Sequence, residues 1–142
     1  MAKMIFVNLP VTDVAGSTAF YEAIGFEKNP QFSNEQASCM VWSDTIHVML
    51  LSHDFYATFA NKPIADTHQV SAALLCLSRD SRAEVDSTHA AALTAGGRSI
   101  HPPEENGPMY GGAFEDPDGH SFETMYMDLD AFMAGQTEAA AA

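Results

Sequence analysis

Basic residues are scarce. The 142-residue chain carries six Lys plus Arg against 19 Asp plus Glu, a formal charge of −13. Such a field repels phosphate backbones and anionic lipid, so no nucleic-acid or membrane partner is expected. Cysteine is scarce too: Cys39 and Cys76 are the whole complement, and they form no CxxC pair. That excludes a disulfide scaffold and a zinc-ribbon spacing. Both lie in apolar runs and are expected to be reduced core thiols. No apolar run reaches the ~18 residues that span a bilayer. The Met4–Leu9 run is too short for a signal h-region, so the expected location is cytoplasmic. A GxSxG elbow is missing. Gly107–Gly112 lacks the Lys-Ser/Thr of a phosphate loop and is read as a loop entering a strand.

What remains is an ordinary globular composition, 46% hydrophobic, which can bury a real core. Met4–Leu9 suits a strand. Asp13 can cap a helix over Asp13–Ile24, with Val14, Thr18, Tyr21 and Ile24 on one stripe and Gly25 as its stop. Strand patterns follow over Phe26–Phe32, Ala37–Ser43 and Thr45–Ser52. Residues 54–68 form a short helical excursion and a linker. The order then repeats. Val70–Leu77 is a strand and Ser81–Ala95 a helix, with Val85, Thr88, Ala92 and Ala95 on one stripe. Arg98–His101, Met109–Glu115 and His120–Met127 are strands. Asp116-Pro117-Asp118-Gly119 is a tight-turn signal, because Pro presets one dihedral and Gly supplies a positive one. Asp128–Met133 can make a helical turn, and Gly135–Ala142 reads as a frayed tail.

The expected architecture is therefore α+β, with two βαβββ modules sharing one core. Residues 1–142 form one domain, with modules at 1–53 and 69–127, a linker at 54–68 and a tail at 128–142. Each half, at about 65 residues, is marginal alone, which favours one shared core. The halves share element order and negligible sequence identity.

Val11-Thr12-Asp13, Phe20-Tyr21 and Ile24-Gly25-Phe26 resemble the opening signature of the vicinal oxygen chelate superfamily. That group includes glyoxalase I, bleomycin-resistance proteins and extradiol dioxygenases, and the resemblance implies that the two βαβββ modules pair into a curved mixed sheet around a concave cavity. Phe114 through His120, followed by Phe122-Glu123, resembles its closing signature. Metal-using members of the family hold a divalent ion through four ligands on the first and last strands of each module. The resemblance places those positions at Phe6, at His47 or Met49, at Ser71–Ala73 and at Glu123. Phenylalanine, serine and alanine offer no suitable donor, and two ligands rarely hold a catalytic metal. His47 and Glu123 are the positions that retain one. No cofactor is expected, although the family's divalent metal would take these two residues.

With Phe6 on the cavity face, as the resemblance implies, two-residue alternation puts Met4 and Asn8 there too. His47, Met49 and Leu51 join them from the fourth strand, and Ser121, Glu123 and Met125 from the last. Tyr110 or Met109 comes from the strand before it. This is an apolar pocket with few polar groups, suited to a small organic ligand. A carboxylate facing such a cavity loses solvation, which suits Glu123 to proton transfer, with His47 as base or orienter. A Met and aromatic stripe is equally the pattern of plain core. His120, three residues before Glu123, is expected to pack at the turn. His53 and His101 are expected near solvated strand ends, and His89 on a solvated helix face.

Three functions follow from the resemblance. One is a glyoxalase-like lyase without a complete metal site, using Glu123. Another is a ligand-binding or drug-sequestering protein. The third is a metal-dependent lactoylglutathione lyase or extradiol dioxygenase. Relatives often form homodimers, so a homodimer is expected here, with or without module exchange.

Overall fold

The computed structural model describes residues 2–141, with side chains through residue 135. The first module runs β1 (Ile5–Val11), α1 (Val14–Ala23), β2 (Glu27–Asn29), β3 (Ala37–Val41) and β4 (Ile46–Ser52). The short helix α2 (His53–Ala57) follows. The second runs β5 (Leu74–Ser78), α3 (Arg82–Thr94), β6 (Arg98–Asn106), β7 (Met109–Glu115) and β8 (Ser121–Met127), and α4 (Leu129–Ala141) closes the chain. The βαβββ order read from the sequence is present twice. The strands form two separate four-stranded sheets, ordered β1-β4-β3-β2 and β5-β8-β7-β6. In each, the first strand runs parallel to the last and the other pairs are antiparallel. Both sheets are mixed, and opposite its helix each has a second face, the bare face, that is only partly exposed: at Phe6 and Asn8 on the first sheet and at Cys76 and Glu123 on the second, while Cys39, His47 and Leu51 are buried.

Local chemistry explains the boundaries. The Asp13 carboxylate accepts from Gly16 N at 3.1 Å and starts α1, and Gly25, at φ 115°, ends it. Strand β2 stops earlier than its pattern predicts, because the Asn29 side chain accepts from Gln31 N at 3.0 Å and caps a 3₁₀ turn over Pro30–Phe32, with Pro30 fixing its first φ. Strand β5 starts at Leu74 rather than Val70, since Gln69 N and Val70 N both donate to Asp66 O. Conversely, β6 continues through Pro102-Pro103 to Asn106. It is an outer strand with two register shifts, where missing N–H groups cost no ladder bond. A helix extends where a frayed tail was expected over Gly135–Ala142: Asp128 caps it through Ala131 N at 3.1 Å, and α4 reaches Ala141 despite Gly135, with Ala142 outside the described residues.

The core joins both modules. Phe20 and Tyr21 of α1 meet Phe114 and Phe122 of the second sheet, at ring-centroid distances of 6.3 and 5.7 Å. Val11, Ile24, Met40 and Leu50 pack into the same cluster. The expected solvated face for His89 is wrong. Its ring is buried against Phe114, and Nε2 shares a 3.0 Å hydrogen bond with Ser99 Oγ. Cys39 is a core thiol as expected, but Cys76 is exposed. Leu75 and Leu77 turn toward the helix, so alternation sends Cys76 to the bare face.

A polar latch crosses the junction between the modules. Tyr21 Oη donates to Asp116 Oδ2 at 2.6 Å. Asp116 Oδ1 accepts from the N–H groups of Asp118 and His120, both at 2.9 Å. Asp118 Oδ1 accepts from Thr12 N and Oγ1 at 3.0 and 2.8 Å. His120 Nε2 lies 2.7 Å from Pro10 O, so this nitrogen carries the proton. Burial and the neighbouring Asp116 carboxylate hold the Tyr21 phenol well above its ordinary range. The turn residues thus fasten one module to the other. No described helix is long and apolar enough to cross a membrane.

Candidate functional site

The expected site residues fall into two groups, one on each sheet. On the first sheet, Phe6 pairs with His47 and Asn8 with Met49. The Phe6 and His47 rings stack at 4.5 Å and 14°. Phe6 is 50% exposed while His47 is 7% exposed, so the phenyl shields the imidazole from solvent. His47 Nδ1 is buried without a hydrogen-bond partner. Leu51 is buried, Met49 half-buried and Asn8 exposed. An unpaired buried ring nitrogen is costly unless a ligand or water meets it.

On the second sheet, Glu123 stands between Cys76 of β5 and Ala113 of β7. It borders a cavity of about 170 Å³ with Cys76, His101, Glu104, Met109 and Met125. Glu123 is half-buried and has no hydrogen bond or ion pair among the described residues. Partial burial, then the Glu123 carboxylate, raise the Cys76 thiol above its ordinary value, which keeps it protonated. Ser121 lies elsewhere, at the seam between the sheets.

Tyr110 is not on this face. Its hydroxyl donates to Asp86 of α3 at 2.6 Å, so the ring is turned to the helix side. Alternation then hands the cavity position to its neighbour Met109. Glu104 and Asn106 reach this cavity because β6 runs on through Pro102-Pro103, beyond His101, where the sequence pattern ends the strand. Cys76 could have been found, since parallel pairing of a first and last strand puts it beside Glu123.

Within one chain, no hydrogen bond or ion pair joins His47 to Glu123 among the described residues. A third space lies between the sheets, where β1 approaches residues 71–75 and 119–121. It measures about 250 Å³ and takes in Asn8 and Ser121.

The metal that the fold family often uses does not fit these residues. The position on β1 is a phenylalanine stacked on His47, and residues 71–73 are Ser, Ala and Ala. Among the described residues no group of three or more His, Cys, Asp or Glu is placed to hold an ion. No chemical step is therefore assigned to a metal.

Comparison with solved structures agrees with this fold. A hypothetical protein from S. aureus, SA1046, superposes with a TM-score of 0.74 at 25% identity, covering 89% of this chain and 95% of its own. A glyoxalase/bleomycin resistance protein/dioxygenase family enzyme from Burkholderia phytofirmans PsJN gives 0.73 at 21% identity, covering 89% and 99%. A glyoxalase-related enzyme from Fulvimarina pelagi gives 0.73 at 18% identity, covering 89% and 88%. No curated protein matches by sequence. The family pattern of the Glyoxalase/Bleomycin resistance protein/Dioxygenase superfamily matches residues 3–124, and the chain belongs to that superfamily.

Proposed function

We propose that this protein binds a small organic, oxygen-bearing molecule on its bare sheet faces and moves a proton within it through Glu123. The observation that carries this reading is the isolation of Glu123. It is the carboxylate on the bare face of β8, beside a cavity, with no partner to neutralise it. A general base needs that availability. Met109 and Met125 offer a soft apolar wall for the body of the ligand. His47 serves as the second polar group, on the face of the other sheet.

The two groups meet when two copies of the chain associate. The outer edges of β1 and β5 carry no ladder partner. Met4, Ile5 and Phe6 on one edge and Val70 and Leu74 near the other are exposed. Bare edges with apolar side chains favour pairing with another chain. A homodimer is the expected state in solution. Sedimentation of the wild type should give a dimer and Phe6→Glu a monomer; a wild-type monomer rejects the association.

Catalysis is tested by following solvent deuterium uptake at carbon next to a carbonyl. Proton NMR would screen small α-hydroxyketones and thiol hemithioacetals. Glu123→Gln should abolish uptake while the fold persists. Unchanged exchange in that variant removes Glu123 as the base, and added chelator should leave the wild-type rate unaltered.

A second reading is sequestration without turnover. Glu104 and Glu123 border one cavity that no Lys or Arg lines, which suits a cationic ligand. Thermal stabilisation by a cationic glycopeptide drug, with no exchange activity on any substrate, would favour it.

A further inference from the structure

We propose that the seam between the two sheets is a separate binding site for a small uncharged molecule. The seam is a built space. The segment after α2 lies across it like a strap. Thr67 Oγ1 ties that strap to Asp118 O at 2.6 Å. At Gly119, with φ 87°, a Cβ would sit 2.7 Å from Thr67 O, so the strap and the turn touch backbone to backbone. On the same turn, His120 Nε2 donates to Pro10 O at 2.7 Å and fastens the turn to β1. The cavity is therefore held on two sides by hydrogen bonds between different parts of the fold.

Its lining decides the ligand class. The chain carries 25 Asp, Glu, Lys and Arg residues, yet none of them borders this space. The one imidazole there, His120, already spends Nε2 on Pro10 O. Val7, Leu9 and Leu75 supply apolar wall. The side chains of Asn8, Ser71 and Ser121 border the space without a hydrogen-bond partner among the described residues. An ion entering here would lose water and gain no counter-charge. A neutral molecule with an apolar body and an amide, hydroxyl or carbonyl would keep its hydrogen bonds and bury its body. At about 250 Å³ the space admits a molecule smaller than most drugs. Neither His47 nor Glu123 lines it, so the site is distinct from the one proposed above.

Three probes of one shape and different charge test this. Benzamide is neutral, benzoate an anion and benzamidinium a cation. Each would be titrated into the full-length ¹⁵N-labelled protein and followed by amide shifts. Benzamide should perturb Asn8, Ser71 and Ser121, and the two ions should bind at least about tenfold more weakly. Ala73→Leu should fill the cavity and abolish benzamide binding. Ala65→Leu, on the exposed strap, should do the same if the first variant does not fold. Glu123→Gln should leave benzamide binding unchanged, which separates this site from the sheet-face site. Absence of benzamide binding overturns the proposal. So does equal binding of either ion, benzamide binding that survives a folded filling variant, or benzamide binding lost with Glu123.

Discussion

The junction between the modules and the bare sheet faces use the same kinds of residues in opposite ways. At the junction, Asp116, Asp118, His120, Tyr21 and Thr12 all find partners, and every bond but those inside the turn crosses from one module to the other. On the faces, His47 Nδ1 and the Glu123 carboxylate find none. Partnered polar groups specify how two half-sized modules sit together. Unpartnered ones cost stability and remain available to a ligand. The contrast separates structural acids from a candidate reactive one without any appeal to the chain's net charge.

The sharpest way to break that contrast is Asp116→Ala. It strands the Tyr21 hydroxyl and two backbone N–H groups. The expected cost is about 3–5 kcal/mol. Denaturant unfolding followed by the fluorescence of Trp42 would measure it. This single tryptophan lies 5.2 Å below the Arg79 guanidinium at the same junction, so it also reports whether the modules have parted. A cost below about 1 kcal/mol would show that the latch is ornamental.

Tyr21→Phe removes one donor and leaves the ring in place. It should cost about 1–3 kcal/mol, the range for a hydrogen bond to a charged group. The two effects should not add in the double variant Tyr21→Phe/Asp116→Ala, because both act on one bond.

Acid provides a subtler test through His89. Burial first, then the nearby His101, hold its pKa below the ordinary imidazole value, with Asp86 opposing. The unfolded chain therefore takes up the proton more readily. The native state keeps its full stability above the ordinary imidazole pKa and loses part of it as pH falls through that value and the lowered one. The urea midpoint should drop between about pH 7.5 and about pH 5.5. His89→Gln should flatten that drop, whereas a variant with an unaltered pH profile would place the acid sensitivity elsewhere.

The smallest stability effect is expected on the face. Glu123→Gln breaks no bond and should move stability by less than about 0.5 kcal/mol. A larger loss in the same Trp42 assay would mean that Glu123 is a structural group after all.

Much of the fold was legible because its signals are local. Asp13 and Gly25 mark the ends of α1 by capping chemistry that involves only nearby backbone. The family resemblance singled out Phe6, His47 or Met49, and Glu123, and alternation, which is local, extended those faces to Asn8, Leu51 and Met125. The misreadings were of long-range origin. Pro102-Pro103 looked like an end to β6, but only the strand order reveals that β6 is an outer strand that tolerates proline. Tyr110 left the expected pocket because Asp86, 24 residues away, accepts a hydrogen bond from its hydroxyl. His89 looked solvated until Phe114 and Ser99 closed over it.

By itself, then, the sequence determined two βαβββ modules, their caps and turns, and which residues share a strand face with His47 and with Glu123. Those follow from dihedral preferences and periodicity, which act within a few residues. Tertiary structure decided which charges were spent and which were left over. Asp116 and Asp118 read as turn residues, and only packing brought Tyr21 and Thr12 within reach of their oxygens. The same packing left Glu123 without a partner, because a side chain's hydrogen bonds depend on what the rest of the chain places beside it.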